Sequence, residues 1–304
     1  MKNLAVLTTI VVLSLGVIAQ AQPTVAQITH SQFQAVNDAG EQTYNATNKV
    51  ILEGILLHNP ADMLNPTADE SVTELLNISG QWQIFFQGEG DDHAGTAAWM
   101  GQMYNNLPWV PLDGGYTNEE FIAELRRINA TQFCPGDRIR VTGYFLPYNG
   151  KTNINEQHKN NPDYDFTIEL LERGVGIPKP EVVTLDQLKD NNDNFIFDST
   201  RLTGCEYYQA RLVKIEDVWF VDPNGWGPNA ALTITDGVKT FPVKLGRGNG
   251  IYAGSYNLSE PFDIIGIMDQ ESKDLINGYR LWVMNYNGNG LVLSSYEHRM
   301  ADKE

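Results

Sequence analysis

Carboxylates beside histidines are the first groups in this sequence that could do chemistry. Asp91-Asp92-His93 and Glu156-Gln157-His158 each set acids next to an imidazole, the side chains that ligate a metal or pass a proton. Neither run has the ligand spacing of a metal family, and solvated loop charge accounts for both. Asp190, Asn192 and Asn194 alternate like the start of a calcium loop. Phe195 then stands where the turn glycine belongs and Arg201 where the bidentate acid belongs, so the run is not an EF-hand. Gly248-Asn249-Gly250-Ile251-Tyr252-Ala253 spells a dinucleotide motif, but no helical pattern follows to offer a phosphate its N-terminus. A Gly-x-Ser-x-Gly elbow and a His-Glu-x-x-His helix are both absent from the sequence. The reading is therefore of a protein without catalytic residues, bound metal or cofactor. A metal-assisted hydrolase built on the Asp/His loops is the enzyme-class alternative.

The other candidates are aromatic, amide and lysine side chains, and what they can do depends on the elements that present them. The clearest element is Arg138 to Asn155. Ile139, Val141 and Phe145 fall on one face of a strand, Arg138, Arg140, Thr142 and Tyr144 on the other, and Asn149-Gly150 supplies the positive φ angles of a two-residue hairpin turn. Four apolar stretches precede or complete it: Val50–Leu56, Gln81–Phe86, Ala97–Met100 and a helical stripe of Phe121, Ile122, Leu125 and Ile128 begun by Thr117-Asn118-Glu119-Glu120. A second set follows: Tyr208–Ile215, Ala231–Gly237, Phe241–Leu245, Phe262–Met268 and Tyr279–Met284. Gly143 and Gly266 occupy the same place in the two sets, where a glycine inside a strand marks a sharp bend. Five strands per copy, with any helix between the third and fourth, is the order of an OB-fold barrel. The expected fold is mainly β, two tandem five-stranded OB-fold-like barrels, the first with one helix between strands 3 and 4.

OB-folds commonly bind ligands on strands 2 and 3 and on the loops joining strands 1–2 and 4–5. In the first copy this face points to Trp82 or Phe85, according to register, with Trp99, Tyr148, Lys151 and Asn153; in the second it points to Trp226, Lys239 and Trp282. Rings there would stack on bases or sugar faces, and barrel core is the competing place for each. Trp226 lies in the turn-rich run Pro223-Asn224-Gly225-Trp226-Gly227-Pro228, which favours exposure.

Gly136-Asp137-Arg138-Ile139-Arg140-Val141-Thr142-Gly143, with Tyr148-Asn149-Gly150, resembles a pattern of OB-like domains in exported bacterial proteins, some attached to secreted nucleases. Ala98–Gln102, Asn149–His158 and Gly266–Glu271 with Tyr279–Trp282 are similar to exported proteins of planctomycete-like bacteria with tandem OB-fold-like domains. The resemblance spans most of residues 46–285 and implies fold and export, with no catalytic residue to carry over.

Met1-Lys2-Asn3, an apolar run from Leu4 to Ile18 and Ala19-Gln20-Ala21 read as a secretory signal peptide, so the mature protein is expected to be periplasmic or extracellular with no membrane span. The expected division is 1–21 signal peptide, 22–45 linker, 46–178 first barrel, 179–198 linker with a short helix at Leu185–Lys189, 199–290 second barrel and 291–304 tail. Lys and Arg number 21 against 38 Asp and Glu, a net charge of −17, which repels polyanions and makes nucleic acid a disfavoured partner. Cys134 and Cys205 are an even pair in an exported chain and are expected to form a disulfide between the barrels. Function is read as a non-catalytic binding or assembly module for a glycan or protein ligand. A single-strand nucleic-acid binder or nuclease accessory is the binding-class alternative.

Overall fold

Strand alternation, turn chemistry and one amphipathic helix place the elements almost where the pattern predicts. The computed structural model describes residues 25–44, 49–64, 81–101, 116, 118–128, 132–155, 165–227, 229–246, 260–284 and 293–295. The first half holds β1 (Ala26–Gln27), α1 (His30–Phe33), β2 (Val50–Leu56), a 3-10 turn (Pro60–Met63), β3 (Gln81–Gln87), β4 (Gly95–Gly101), α2 (Asn118–Arg127), β5 (Arg138–Gly143), β6 (Phe145–Tyr148), β7 (Lys151–Asn155) and β8 (Thr167–Glu172). The second holds β9 (Glu181–Val182), α3 (Leu185–Leu188), α4 (Gly204–Tyr207), β10 (Leu212–Phe220), β11 (Ala231–Thr235), β12 (Thr240–Leu245), β13 (Phe262–Gln270), β14 (Tyr279–Val283) and β15 (Leu293–Ser295).

The chain is mainly β, and its second sheet closes on itself. β10 pairs with β11, β11 with β12, β12 with β14, β14 with β13, and β13 again with β10. This is a five-stranded closed barrel. The first sheet runs β6-β7-β4-β3-β2-β5-β8, with β1 alongside β2. Its β5 pairs with β2 and its β6 with β7, and only Tyr144 separates β5 from β6. In the second sheet the same two tasks fall to one strand: the first part of β13 pairs with β10 and its last part with β14.

Gly143 and Gly266 stand at those two transfer points, opposite Val50 and Val213 respectively. A Cβ at Gly143 would lie 2.5 Å from Ile154 Cγ2, and one at Gly266 2.5 Å from Leu281 Cγ. Both glycines are thus required by close approach of a later strand, β7 at Gly143 and β14 at Gly266. The hairpin between β6 and β7 turns on Asn149 (φ 51°) and Gly150 (φ 96°), both left-handed as a type I′ turn demands. The helix predicted between strands 3 and 4 is α2; Phe121 and Ile128 are buried, Glu119 and Glu120 lie in its first turn, and Arg126 and Arg127 in its last, as the helix dipole favours. α3 starts at Thr184, whose reciprocal hydrogen bonds with Gln187 form a capping box.

Five expectations are corrected. The described part of the 22–45 linker is packed structure: β1 extends the sheet beside β2, and His30 and Phe33 are fully buried. The 179–198 stretch likewise contributes β9 to the second sheet and Leu185 and Leu188 to its core. The first strand of the second half begins at Leu212 rather than Tyr208, because Tyr208 N–H returns to Cys205 O and Ala210 takes a positive φ of 54°. Cys134 and Cys205 are free thiols. Cys134 lies in an exposed turn whose amide Asp137 holds, whereas Cys205 faces the second core, its Sγ donating to Leu188 O. Burial pushes the Cys205 thiol well up. Part of the expected tail, β15, pairs with β13. The expected signal peptide and the Gly248-Asn249-Gly250 and Glu156-Gln157-His158 motifs lie outside the described residues. No helix among the described residues is long and apolar enough to cross a membrane.

Replacing Gly143 or Gly266 with Val should destabilise the protein by about 1–3 kcal/mol each, since a branched side chain would collide at the bend. Denaturant unfolding of the two variants checks this, and unchanged midpoints for both would refute the shared role.

Candidate functional site

Period-2 alternation decides which residues can form a site on β3, β4 and β7. Trp82, Ile84 and Phe86 of β3, Ala98 and Met100 of β4 and Ile154 of β7 point into the first core. Their neighbours must point outward. Cross-strand register then sets two rows on the outer face: Phe85, Ala97 and Asn153, and next to it Gln83, Trp99 and Asn155. Lys151 stands two residues before Asn153 on the same face. Four of the predicted ligand residues, Phe85, Trp99, Lys151 and Asn153, are thus brought together, and Gln83 and Asn155 join them.

The second half covers much of this face. Phe85 and Ala97 belong to the second hydrophobic core, together with Leu57 and Met63 from the loop after β2. Leu212 N–H donates to Gln87 Oε1 at 3.0 Å, and Gly95 N–H to Gln209 O at 3.0 Å. Lys151 Nζ donates to Asp269 Oδ1 at 2.7 Å, while Arg280 and Trp282 Nε1 reach Asp269 Oδ2 at 3.0 and 2.8 Å. Both members of the Lys151–Asp269 pair are almost wholly buried, at 5% and 0% side-chain exposure. Burial raises the Asp269 carboxyl, but the Lys151 and Arg280 charges outweigh it and hold the group below its ordinary value. The hairpin turn takes part as well, Asn149 O accepting from Ser272 N–H. His93, on the loop before β4, stacks on Tyr207 at 3.9 Å and bonds Glu181, which Arg211 also holds.

The other predicted residues are placed elsewhere. Trp82 is inside the first core against Phe166, 1% exposed, because the register turns it inward. Trp282 is 2% exposed and spends its indole N–H on Asp269. Lys239 is buried, its Nζ on Lys189 O and paired with Asp186. Trp226 is half-buried, edge-on to Phe220, rather than exposed. Tyr148 is exposed, at 46%. Asp92 accepts from His30 N–H, Ser31 N–H and the Ser31 hydroxyl, so its carboxylate caps α1. Asp190 and Asp198 accept from amides of their own turns. No group of three or more metal-ligating side chains occurs among the described residues.

Gln81, Gln83 and Asn155 were not singled out from sequence. Alternation through Lys151-Thr152-Asn153-Ile154-Asn155 puts Lys151, Asn153 and Asn155 on one face and carries the signal that finds the last of them.

Two buried imidazoles support the face from behind. His58 Nε2 accepts Phe85 N–H at 3.0 Å while Nδ1 donates to Asn59 O, an arrangement only the neutral ring allows. His30 Nε2 donates to Glu53 O and Nδ1 bonds the Thr96 hydroxyl. Burial lowers both rings to about 4. Asp62, on the 3-10 turn, is pushed up to about 7 by burial.

No family model and no curated protein matches the chain. Solved structures similar to it include a murine DNA-binding protein bound with double-stranded DNA, at 11% identity over 80% of this chain and 96% of that one, with a TM-score of 0.30. An Ifi202 HINa domain in complex with 20-bp double-stranded DNA shares 9% identity over 77% of this chain and 94% of that one, TM-score 0.30. A single-stranded DNA-binding protein from Thermus aquaticus shares 10% over 83% and 94%, TM-score 0.18. Likenesses this slight leave the site to be read from its own residues.

The buried groups lead to three predictions. Lys151→Met should cost about 3–5 kcal/mol, because it leaves Asp269 charged and buried with one cation fewer. Unfolding of Lys151→Met, Asp269→Asn and the double variant measures it, with the double variant expected to lose less than the sum of the single ones. A histidine lowered in the folded state binds its proton more readily when unfolded, so its contribution is complete above pH 6.5 and lost as pH falls toward 4. Relative to His58→Gln, the protein should lose on the order of 3 kcal/mol across that window. Asp62 acts with the opposite sign, and the protein should lose stability relative to Asp62→Asn as pH rises from about 4 to 7.

Proposed function

We propose that the chain is an exported, non-catalytic binding module of two OB-like barrels locked together as one unit. The observation that carries this reading is the position of the outer face of β3, β4 and β7. In OB order these are strands 2, 3 and 5, the surface such barrels use for ligands. Here it carries an indole and a row of amides, much of it covered by the second half, rather than an acid, base and nucleophile. The two-barrel reading is supported by the first sheet repeating the pairing order of the closed one, with β5 and β6 together doing the work of β13. Export is supported by the N-terminal pattern of Lys2, the Leu4–Ile18 run and Ala19-Gln20-Ala21.

Single-stranded nucleic acid is the second reading, because OB-like barrels commonly bind it across strands 2 and 3. Against it stand the net charge of −17 and the occupation of the face's own cation, Lys151, by Asp269. Two further basic residues of the first sheet are also neutralised: Arg138 by Glu89 and Glu172, and Arg140 by Glu53 and Glu169.

The test is run on the intact protein, with labelled oligothymidylate at low and at physiological salt and with chromogenic phosphodiester, ester and glycoside substrates supplemented with divalent ions. No turnover and no steep salt-dependent binding are expected. Turnover above that of an Asp92→Ala and His93→Ala variant would overturn the non-catalytic reading, and a steep salt slope would favour nucleic acid.

A further inference from the structure

The second barrel leaves open the sheet face that is covered in the first half, the outer side of its second and third strands, β11 and β12, continued by β10. Val218 and Phe220 of β10, Ile234 of β11 and Phe241 and Val243 of β12 belong to the second core. Alternation then turns Trp219, Val221, Thr233, Thr235, Thr240 and Pro242 outward. Register sets them in rows. Trp219 is opposite Thr235 and Thr235 opposite Thr240, while Val221 N–H donates to Thr233 O and Thr233 is opposite Pro242. Trp219 is 36% and Val221 60% exposed, and Pro242 is exposed as well.

Trp219 differs from the tryptophans of the seam. Trp282 donates its indole N–H to Asp269 and Trp99 donates to Gln81, whereas the Trp219 indole has no hydrogen-bond or ring partner among the described residues. The sheet beside it is fixed. The Thr235 hydroxyl donates to Lys239 O at 2.8 Å and the Thr240 hydroxyl to Asp193 Oδ2 at 2.6 Å. An accessible aromatic ring on a rigid sheet, next to a branched aliphatic side chain and a proline, is the kind of anchor on which protein contacts are built.

Charge selects the partner. Asp222 follows Val221 at one end of this strip and Asp236 follows Thr235 at the other, and both are exposed. Asp222 accepts from Asn224 N–H and Asp236 from Val238 and Lys239 N–H, backbone amides that leave each carboxylate its charge. The nearby lysines are committed elsewhere: Lys214 to Glu216 and Asp263, Lys239 to Asp186, and Lys244 to Asn229 O. A polyanion is therefore repelled locally as well as by the net charge of −17, and a basic partner is steered in by the same field. A guanidinium is drawn to carboxylates and lies flat on an indole, and its hydrocarbon stem suits Val221 and Pro242. We propose that the outer face of β10, β11 and β12 docks an arginine-bearing segment of a basic protein, with one guanidinium on Trp219 and further basic groups at Asp222 and Asp236. This rests on the non-catalytic binding reading and names its partner class.

The experiment titrates the intact protein with a peptide of alternating arginine and serine, read by calorimetry and by the assigned indole N–H resonance of Trp219. Binding at physiological salt, a shift of that resonance and an affinity that falls as salt rises are expected. Trp219→Ala should weaken binding about tenfold, and the double variant Asp222→Asn, Asp236→Asn by about as much. Glu119→Gln, which removes a negative charge from α2, should bind as the unaltered protein does and so separates a local site from general attraction. If a variant fails to fold, the resonance shift in the unaltered protein decides alone. Absence of binding, a Trp219 resonance that stays in place, or a loss at Asp222 and Asp236 no larger than at Glu119 would overturn the proposal. A shift of the same resonance by a neutral glucan or by oligothymidylate, with none by the peptide, would overturn the basic partner and leave the binding module standing. Turnover of the chromogenic substrates would sink the module reading, and the proposal with it.

Discussion

The outer face of β3, β4 and β7 is held between two hydrophobic cores, and most of the structure follows from that constraint. A strand normally offers one side to a core and the other to water. Here β3 is buried along nearly its whole length, Trp82, Ile84 and Phe86 to the first core and Phe85 to the second. A surface buried twice cannot shift register, because a slip of one residue would exchange every side chain between two packed interiors. The polar groups trapped in the seam must then be answered locally. Gln87 receives the Leu212 amide, Gly95 finds Gln209, and Lys151 finds Asp269. The buried ion pair adds little net stability, but it is exacting about geometry, which suits a contact whose task is to fix orientation.

Much of the fold was legible in the sequence because it rests on local rules. The Asn149-Gly150 turn, the Phe121–Ile128 stripe, the Thr184 cap and most strand limits depend on residues within a few positions of one another. Gly143 and Gly266 were legible because two copies of one bend made each the check on the other. What sequence could not supply was the far side of each strand. Trp82 and Phe85 are three residues apart and fall on opposite faces, so one register decides which is core and which is seam. The N-terminal stretch escaped for a related reason. Its Phe33 and His30 are buried against strands made from residues far along the chain, and Gln34 donates to Thr152 O, a contact separated by 118 positions. The cysteines misled because an even count says nothing of where each thiol points.

The candidate site was half legible. Aromatic and amide residues on strands 2, 3 and 5 could be sought by type, and alternation through β7 puts Lys151, Asn153 and Asn155 on one face. Several candidates proved to join the two halves of the chain: Phe85 fills the second core, and Lys151 and Trp282 both converge on Asp269.

The seam also bears on how the chain comes to be folded. Leu57, Met63, Phe85 and Ala97 are complete early in synthesis, yet the second-half residues of their core begin only at Val183, and the backbone bond from Gly95 waits for Gln209. Arg201 closes on Gln34 O across 167 positions. Contacts of such long range must bear their loop-closure entropy before they stabilise anything, which slows folding. The first half therefore passes through an interval in which an apolar sheet face lies uncovered, the form most prone to pair with another copy. The arrival of the second half ends that exposure by covering Phe85 and Ala97.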